Sequence, residues 1–200
     1  MTTGPSGSTY YRKALRLIKD GEPRGSARCL SYLNRAVDAK YPPAMYALGT
    51  WYLFGTGVKR NYRRASVLLG KAALAGNHAA QYDLAVCYET GKGVRRSLSR
   101  AYHFYLAAAK GRDRNGQSEV GRCYYYGIGT RVNVTEAIKW YRKAARSGDA
   151  HSQYVVGRAY ELGEGCGKNS RLALVWYKKA AAGGDEEATR VLRGGGKPER

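Results

Sequence analysis

Few residues of the 200-residue chain have the types and spacing that catalysis or metal binding requires. His78, His103 and His151 have no second ligand at a metal-binding spacing. Acidic residues are sparse, and no two of them recur as a pair that would act as general acid and base. The Gly-x-Gly motifs never continue into a phosphate-binding loop. We therefore expect a protein that is not an enzyme and that holds no cofactor and no metal.

The cysteines predict free thiols. Cys87 and Cys123 fall at equivalent positions of predicted neighbouring helices, whose axes would lie about 8–10 Å apart, too far for a disulfide. Cys29 and Cys166 fall in other elements, so no paired framework emerges. The first residues contain no apolar segment of a signal peptide, and no apolar run is long enough to span a membrane. These features favour a cytoplasmic protein.

Cationic residues are the chemistry that the chain has in excess. The net charge is +20, from 35 basic and 15 acidic residues. It is concentrated in the N-terminal part, since residues 44–79 contain five basic residues and no acidic one. A field of this kind favours acidic proteins, nucleic acid or anionic lipid without choosing among them.

Two clusters of basic residues recur 36 residues apart and form what we call the basic ridge. Stacked repeats would place the clusters side by side. Cations are unfavourable near the helix N-termini at which these clusters are predicted to lie, which indicates a role beyond stability. An ordinary solvated face is the alternative interpretation. The members of the ridge are Lys59, Arg60, Arg63, Arg64, Arg95, Arg96 and Arg100.

These residues belong to a sequence repeat with a period of 36 residues and no insertion over four units. A fixed period of this length predicts a solenoid, in which each repeat buries its core against its neighbours. Equivalent positions are Tyr52, Tyr88, Tyr124 and Tyr160; Gly55, Gly91, Gly127 and Gly163; and Gly57, Gly93, Gly129 and Gly165.

Each unit predicts two helices, A and B, joined by the Gly-x-Gly loop. The first glycine suits the left-handed conformation just after a helix end. A small-residue column, Gly49, Ala85, Gly121 and Gly157, would let helix B approach helix A. Arg112 replaces the glycine that ends helix B in other units, so we expect a distorted turn there. The predicted N-caps of helix B are Asn61, Ser97, Asn133 and Asn169.

The repeat register predicts the organisation of the whole chain. We expect a flexible N-terminus at 1–8, a degenerate capping repeat at 9–43, full repeats at 44–79, 80–115, 116–151 and 152–187, and a partial helix with a flexible tail at 188–200. Pro42 and Pro43 are expected to end the capping repeat, because proline cannot continue a helix.

The pattern A-x-x-x-L-G-x-x-Y-x-x-G-x-G-V, a polar cap, and A-x-x-W-Y-x-K-A-A-x-x-G resembles the Sel-1-like repeat, a relative of the tetratricopeptide repeat. The resemblance covers 44–187 closely and 9–43 loosely. It implies an all-α fold, a right-handed α/α superhelical solenoid, and a role as an adaptor in protein assembly. The family usually has Asp at the helix B cap, whereas this chain has Asn or Ser. The paired cysteines of the secreted branch of the family are absent.

The resemblance also implies that helix A lines the concave side, where a stripe opposite its core face would form a partner-binding groove. Packing between repeats is the alternative interpretation of each residue. Aromatic residues and arginine dominate the binding energy of many interfaces. The predicted groove residues are Trp51, Phe54, Arg122, Tyr125, Tyr126 and Arg158.

We therefore predict a protein–protein interaction module that holds an acidic partner through this groove and its basic N-terminal side. An immunity or inhibitor protein, or an accessory subunit of a bacterial complex, is a specific form of this prediction. The alternative is a nucleic-acid-binding accessory protein that uses the basic ridge on phosphates. The charge alone does not separate the two.

Overall fold

A computed structural model describes residues 6–194, in which helices are the only regular secondary structure. The all-α prediction is confirmed. The flexible ends predicted at 1–5 and 195–200 lie outside the described residues. The helices are α1 Gly7–Lys19, α2 Ala27–Asp38, α3 Pro42–Phe54, α4 Tyr62–Leu74, α5 His78–Thr90, α6 Leu98–Lys110, α7 Arg114–Tyr126, α8 Val134–Arg146, α9 Ala150–Leu162, α10 Ser170–Ala182 and α11 Glu186–Leu192.

The helices begin slightly earlier than the sequence repeat suggests. The A helices α3, α5, α7 and α9 begin at residues 42, 78, 114 and 150, two residues before the repeat boundaries that we placed. Helix α1 begins at Gly7, inside the stretch expected to be flexible. Pro42 and Pro43 occupy the first turn of α3. Proline fits there because its fixed φ is helical and its missing N–H has no partner in a first turn.

The predicted N-caps of helix B are confirmed. Asn61, Asn133 and Asn169 each accept a hydrogen bond from the backbone N–H three residues on, at 2.9, 3.0 and 3.0 Å. Ser97 makes the same contact at 3.4 Å. Each bond satisfies one of the N–H groups that a helix start leaves unpaired, a contribution of roughly 1 kcal/mol.

A second series of caps, which the sequence analysis missed, starts the A helices. Asn77, Asp113, Asp149 and Asp185 accept backbone N–H bonds at 2.7–2.8 Å. Asp149 and Asp185 also place a negative charge at the positive end of a helix dipole. The signal was present as a polar residue directly after the left-handed position that ends helix B, which is glycine in three repeats and Arg112 in the fourth.

The left-handed residues lie where the glycines predict them, with one correction. Gly55, Gly127 and Gly163 end their A helices with φ of 75°, 70° and 81°. Arg112 does not distort its turn, because its backbone adopts φ 65°, close to the 86° of Gly148. Replacing glycine by arginine at this position therefore leaves the shape of the turn unchanged and strains the backbone of Arg112.

The chain divides into two compact units, with the boundary between Phe104 and Tyr105 inside α6. In the first unit, Leu33 of α2 and Leu69 of α4 are fully buried, as the capping repeat predicts. Burying a leucine stabilises the fold by roughly 1.5–3 kcal/mol. In the second unit, Ile138 of α8 and Val156 of α9 belong to one buried cluster, and Tyr177 of α10 belongs to another.

The small-residue column brings helix B against helix A. A Cβ added at Gly121 would lie 2.9 Å from the ring of Tyr141, and one at Gly157 would lie 2.8 Å from the ring of Tyr177. These distances are too short for a real contact, so glycine is required at Gly121 and Gly157 for helix B to approach this closely.

Two of the second loop glycines, Gly93 and Gly165, contact the preceding repeat. A Cβ at Gly93 would lie 2.0 Å from the carbonyl oxygen of Tyr62, at the start of α4. A Cβ at Gly165 would lie 2.8 Å from the carbonyl oxygen of Val134, at the start of α8. The hydroxyl of Ser66 also donates to the carbonyl of Gly93, at 3.1 Å. The loop glycines thus join successive helix pairs through their main chains.

Candidate functional site

The second unit contains a cavity of about 230 Å³ between the A helices α7 and α9, with α8 as its floor. It brings together four of the predicted groove residues: Arg122, Tyr125, Tyr126 and Arg158. We call it the α7–α9 pocket. The other lining residues are Ile138, Tyr141, His151, Tyr154, Val155, Ala159 and Glu164.

Two hydrogen bonds fix the polar side chains of the pocket. The hydroxyl of Tyr125 donates to a carboxylate oxygen of Glu164 at 3.0 Å, which ties the end of α7 to the loop after α9. The Nε of Arg122 donates to a carboxylate oxygen of Glu119 at 2.6 Å. Tyr126 is 67% exposed, and its ring meets that of Tyr125 at 69° with centroids 4.9 Å apart. The pocket therefore has ordered walls and one exposed aromatic rim.

Arg158 is the cation of the pocket that lacks a counter-ion. Its Nε is buried and has no hydrogen-bond partner within the described residues. Burial is the main cause that raises the pKa of the Tyr125 hydroxyl, and the hydrogen bond to Glu164 adds to it. The charge of Arg158 opposes that rise. An arginine of this kind is suited to bind an anionic group.

Trp51, predicted as a groove residue, is buried. It is 7% exposed and packs in the core formed with Cys29 and Leu33 of α2. The prediction of an exposed anchor at this position is therefore wrong. The repeat could have predicted this burial, since the equivalent positions in the next two repeats hold the small residues Cys87 and Cys123, which are fully buried.

Phe54 lies at the end of α3 in the first unit and is 68% exposed. It is not a core residue, which leaves its side chain accessible to a partner. Its role as a groove residue stays a prediction.

All seven residues of the basic ridge are exposed, and none of them forms an ion pair within the described part of the first unit. The guanidinium of Arg64 lies over the ring of Tyr52 and that of Arg100 over Tyr88, each at 5.6 Å. Arg96 donates from Nε to the carbonyl of Glu89 at 2.9 Å. Stacking on tyrosine holds two of the cations in place without neutralising them.

The loop of the next repeat reaches the first cluster of the ridge at Tyr62. Its ring carries Arg60 at 5.4 Å and Lys92, from the next repeat, at 5.8 Å. Lys92 was absent from the sequence-based ridge because it lies inside the Gly-x-Gly loop. The close packing of Gly93 on the start of α4 brings it there.

No metal-binding cluster is found among residues 6–194, where no three His, Cys, Asp or Glu side chains are grouped. His78 instead pairs its Nδ1 with Gln81 at 3.1 Å. Cys29, Cys87 and Cys123 are buried free thiols and Cys166 is half-buried.

None of the described helices is both long and apolar enough to cross a membrane.

A family model described as the Sel1 repeat matches the chain four times, at residues 42–77, 78–113, 115–149 and 150–185. These bounds agree with the helix starts at 42, 78 and 150. No curated protein sequence matches the chain.

Solved structures share the fold. A protective antigen of uropathogenic Escherichia coli strains, which displays an SLR fold, is 31% identical with a TM-score of 0.88. The match covers 94% of this chain and 40% of the E. coli chain, so this chain spans less than half of that protein. A Sel1 repeat protein from Oxalobacter formigenes is 24% identical with a TM-score of 0.82, over 94% of this chain and 76% of that one. An immunity protein from Pseudomonas aeruginosa is 23% identical with a TM-score of 0.51, over 94% and 70%.

Proposed function

The chain belongs to the Sel1 repeat family, and from that membership we propose that it is a non-enzymatic module that binds an acidic partner protein. Sel1 repeat proteins mediate protein–protein interactions, and the family is typically a scaffold. The proposal for this chain adds the surface used, which is the α7–α9 pocket assisted by the basic ridge.

The observation that carries the proposal is the composition of the α7–α9 pocket. It combines tyrosine rings, one of them 67% exposed at Tyr126, with the guanidinium of Arg158. Tyrosine and arginine are enriched among residues that dominate interface energy, because each offers a large contact area and a polar end. A partly enclosed pocket also excludes water from the contact, which strengthens its polar interactions.

The basic ridge would act earlier in binding, as a source of long-range attraction. Its cations are exposed, and an exposed pair contributes at most about 1 kcal/mol to affinity. They speed the encounter with an acidic surface, an effect that salt screens.

Immunity proteins of Pseudomonas aeruginosa occur among the structural neighbours, at 23% identity. The proposal therefore includes an inhibitory or immunity role, with an accessory subunit of a bacterial complex as the other form. The cytoplasmic location inferred from the sequence stays a prediction.

Nucleic-acid binding is the second candidate, and the unpaired cations of the ridge favour it. The tyrosines beside the ridge argue against it. Single strands bind by stacking bases on free aromatic faces. Arg64 and Arg100 already cover Tyr52 and Tyr88, so these rings are not open platforms. We therefore rank the protein partner first.

The two candidates are separated by capture from native lysate, with and without nuclease, at two salt concentrations. We expect an acidic protein that stays bound after nuclease treatment. Tyr126→Ala should weaken its binding more than the double variant Arg95→Gln, Arg96→Gln, because desolvated aromatic contacts are little affected by screening.

Three results together would instead identify nucleic acid as the ligand. Nuclease would release the bound species, Tyr126→Ala would leave its binding intact, and removal of Arg60, Arg64, Arg96 and Arg100 would abolish it. Its affinity would then fall linearly with salt on logarithmic axes.

A further inference from the structure

We propose that the α7–α9 pocket binds the side-chain carboxylate of one acidic residue in the partner, with Arg158 as the ligand. This inference rests on the proposed function and specifies what the pocket recognises. It differs from a general attraction between a basic protein and an acidic one, because it assigns a single cation and a single anion.

The first reason is that Arg158 has a donor with nothing to bind. Its Nε is buried without a hydrogen-bond partner, and within residues 6–194 no carboxylate lies within ion-pair distance of it. Buried donors are normally paired, and leaving one unpaired costs about 1–3 kcal/mol. Arg142 also has an unpaired buried Nε, but its guanidinium lies over Tyr160 at 4.9 Å and it does not line the pocket. A carboxylate that enters the pocket would give Arg158 both a counter-ion and an acceptor.

The second reason is the form of the free donor. A guanidinium can offer Nε and one Nη together, a fork that matches the two oxygens of a carboxylate, and here the ligand must displace the atoms that cover Nε. The neighbouring acids do not use this fork, because Glu164 receives Tyr125 and Glu161 receives Tyr177, at 3.0 and 2.6 Å.

The size of the pocket sets the scale of the ligand. Its volume of about 230 Å³ lies below the roughly 300 Å³ at which pockets for drug-sized ligands begin. One acidic side chain and an adjoining apolar group would fill it. The apolar group would contact Val155 and the rings of Tyr126 and Tyr154.

The charges around the pocket favour a carboxylate over a phosphate. Glu164 is part of the wall, and Glu119 is bound to Arg122 beside it. Like charges within a few ångströms repel, and a phosphate would bring nearly twice the negative charge of a carboxylate. One negative charge is the better match for Arg158.

The backbone favours a side chain over a chain terminus. Terminal carboxylates are usually held by groups of free backbone N–H donors. Tyr125, Tyr126, Tyr154 and Arg158 lie inside α7 and α9, where their N–H groups are bonded within the helix. The pocket thus offers a side-chain fork and no comparable backbone site.

The test uses the full chain and four peptides, three of them blocked at both ends. The probe is acetyl-Gly-Phe-Glu-Gly-amide, and binding is followed by the NMR signal of the Arg158 Nε–H group. The first comparison peptide has Gln in place of Glu. The second has phosphoserine there, and the third has Gln with a free C-terminal carboxylate.

We expect the Glu peptide to shift the Arg158 signal and to bind about tenfold more tightly than the Gln peptide, the change that about 1.4 kcal/mol gives. Arg158→Gln should remove this preference. Arg158→Lys, which keeps the charge but loses the fork, should reduce it about fivefold or more. Arg171→Gln is the matched control, because it removes an exposed arginine of α10 and should change binding less than about twofold.

The inference is overturned if the Glu and Gln peptides bind equally, or if a folded Arg158→Gln or Arg158→Lys variant keeps the preference. Tighter binding of the phosphoserine peptide or of the free terminus would overturn the assignment of a side-chain carboxylate. The proposed function fails separately, when Tyr126→Ala leaves capture of the partner protein unchanged. If Tyr126→Ala abolishes capture of the partner protein and Arg158→Gln does not, only the assignment of a bound carboxylate is refuted.

Discussion

At the scale of single residues, Lys40 and Arg112 have positive φ angles of 55° and 65°, in a column that elsewhere holds glycine. A side chain in this conformation costs about 1–2 kcal/mol in steric repulsion. Arg112→Gly should therefore raise the free energy of unfolding by about 0.5–1 kcal/mol, since the extra freedom of glycine in the unfolded chain offsets part of the gain. Urea denaturation would measure the change.

The reverse substitution is the control for this prediction. Gly148 has φ 86°, and a Cβ added there meets nothing within 4 Å. Gly148→Ala should lower the stability by about 1 kcal/mol through the backbone alone. Two changes of the same sign would contradict the assignment of strain to Arg112.

Cys87 predicts a loss of stability at alkaline pH. Burial is the main cause that raises the pKa of its thiol from 9.0 to about 11, and the charge of Asp83 adds to it. Between these values the unfolded chain releases the thiol proton while the folded chain retains it. The stability that the protonated thiol contributes is complete below pH 9. It is lost as the pH rises towards 11, at about 1.4 kcal/mol per pH unit.

Unfolding by urea at several pH values tests this behaviour. Cys87→Ala should show a shallower fall over the same interval than the unmodified chain. Burial also raises the pKa of Tyr141 and Tyr177, so part of the alkaline loss should remain in this variant. Parallel pH profiles for the two proteins would show that Cys87 does not titrate as its burial requires.

The limits of sequence reasoning are clearest at the candidate site. Arg122, Tyr125, Tyr126 and Arg158 were predicted in one groove and all four line the α7–α9 pocket, while their binding of a partner stays a prediction. Trp51 was misplaced, since an aromatic residue was given more weight than the buried column that contains it. The free Nε of Arg158 was beyond prediction, because it depends on which acids the nearby tyrosines bind.

At the scale of the elements, the two glycines of one loop have different roles and should respond differently to substitution. A Cβ at Gly91 would lie 3.5 Å from its nearest neighbour, an ordinary contact, so Gly91→Ala should cost only the backbone strain, about 1–2 kcal/mol. A Cβ at Gly93 would lie 2.0 Å from the carbonyl of Tyr62, which must move. Gly93→Ala should therefore cost about 2 kcal/mol more, in the range of overpacked cores.

Thermal and urea unfolding of the two alanine variants provide the measurement, with Gly167→Ala as a control in open space at ordinary φ. Gly167→Ala should be neutral or stabilise slightly. Equal losses for Gly91→Ala and Gly93→Ala would mean that the second glycine does not hold the neighbouring repeat.

The helices themselves were largely predictable, because their signals are local. The caps at Asn61 and Asn133 and the left-handed Gly127 follow from residue type and position alone. The approach of Gly93 to Tyr62 was not predicted, since it joins residues that are 31 positions apart (93 − 62). The sequence period shows which residues of different repeats are equivalent. It does not show which residues of neighbouring repeats pack together, and that required the structure.

At the scale of the whole molecule, the charge of +20 should oppose folding. The screening length falls from about 30 Å at 0.01 M salt to about 8 Å at 0.15 M, so added salt weakens repulsion among distant cations. We expect the melting temperature to rise by about 2–4 °C over this range, the shift that roughly 1 kcal/mol gives in a chain of this size.

A variant with four neutralised cations separates this effect from general actions of salt. Lys59→Gln, Arg60→Gln, Arg63→Gln and Arg64→Gln together should raise the melting temperature at low salt and reduce its dependence on salt. An unchanged dependence in this variant would show that repulsion within the ridge does not limit stability.

The joint between successive repeats is made by main-chain atoms on both sides, since Gly93 meets the carbonyl of Tyr62 and Gly165 meets that of Val134. A side chain added at the second glycine would push the facing carbonyl away, so this contact requires the glycine itself. Packing between the repeats also uses side chains, such as the Ser66 hydroxyl that donates to the Gly93 carbonyl. A unit that is duplicated, or exchanged with another family member, should therefore keep both the second glycine and the side chains that face it.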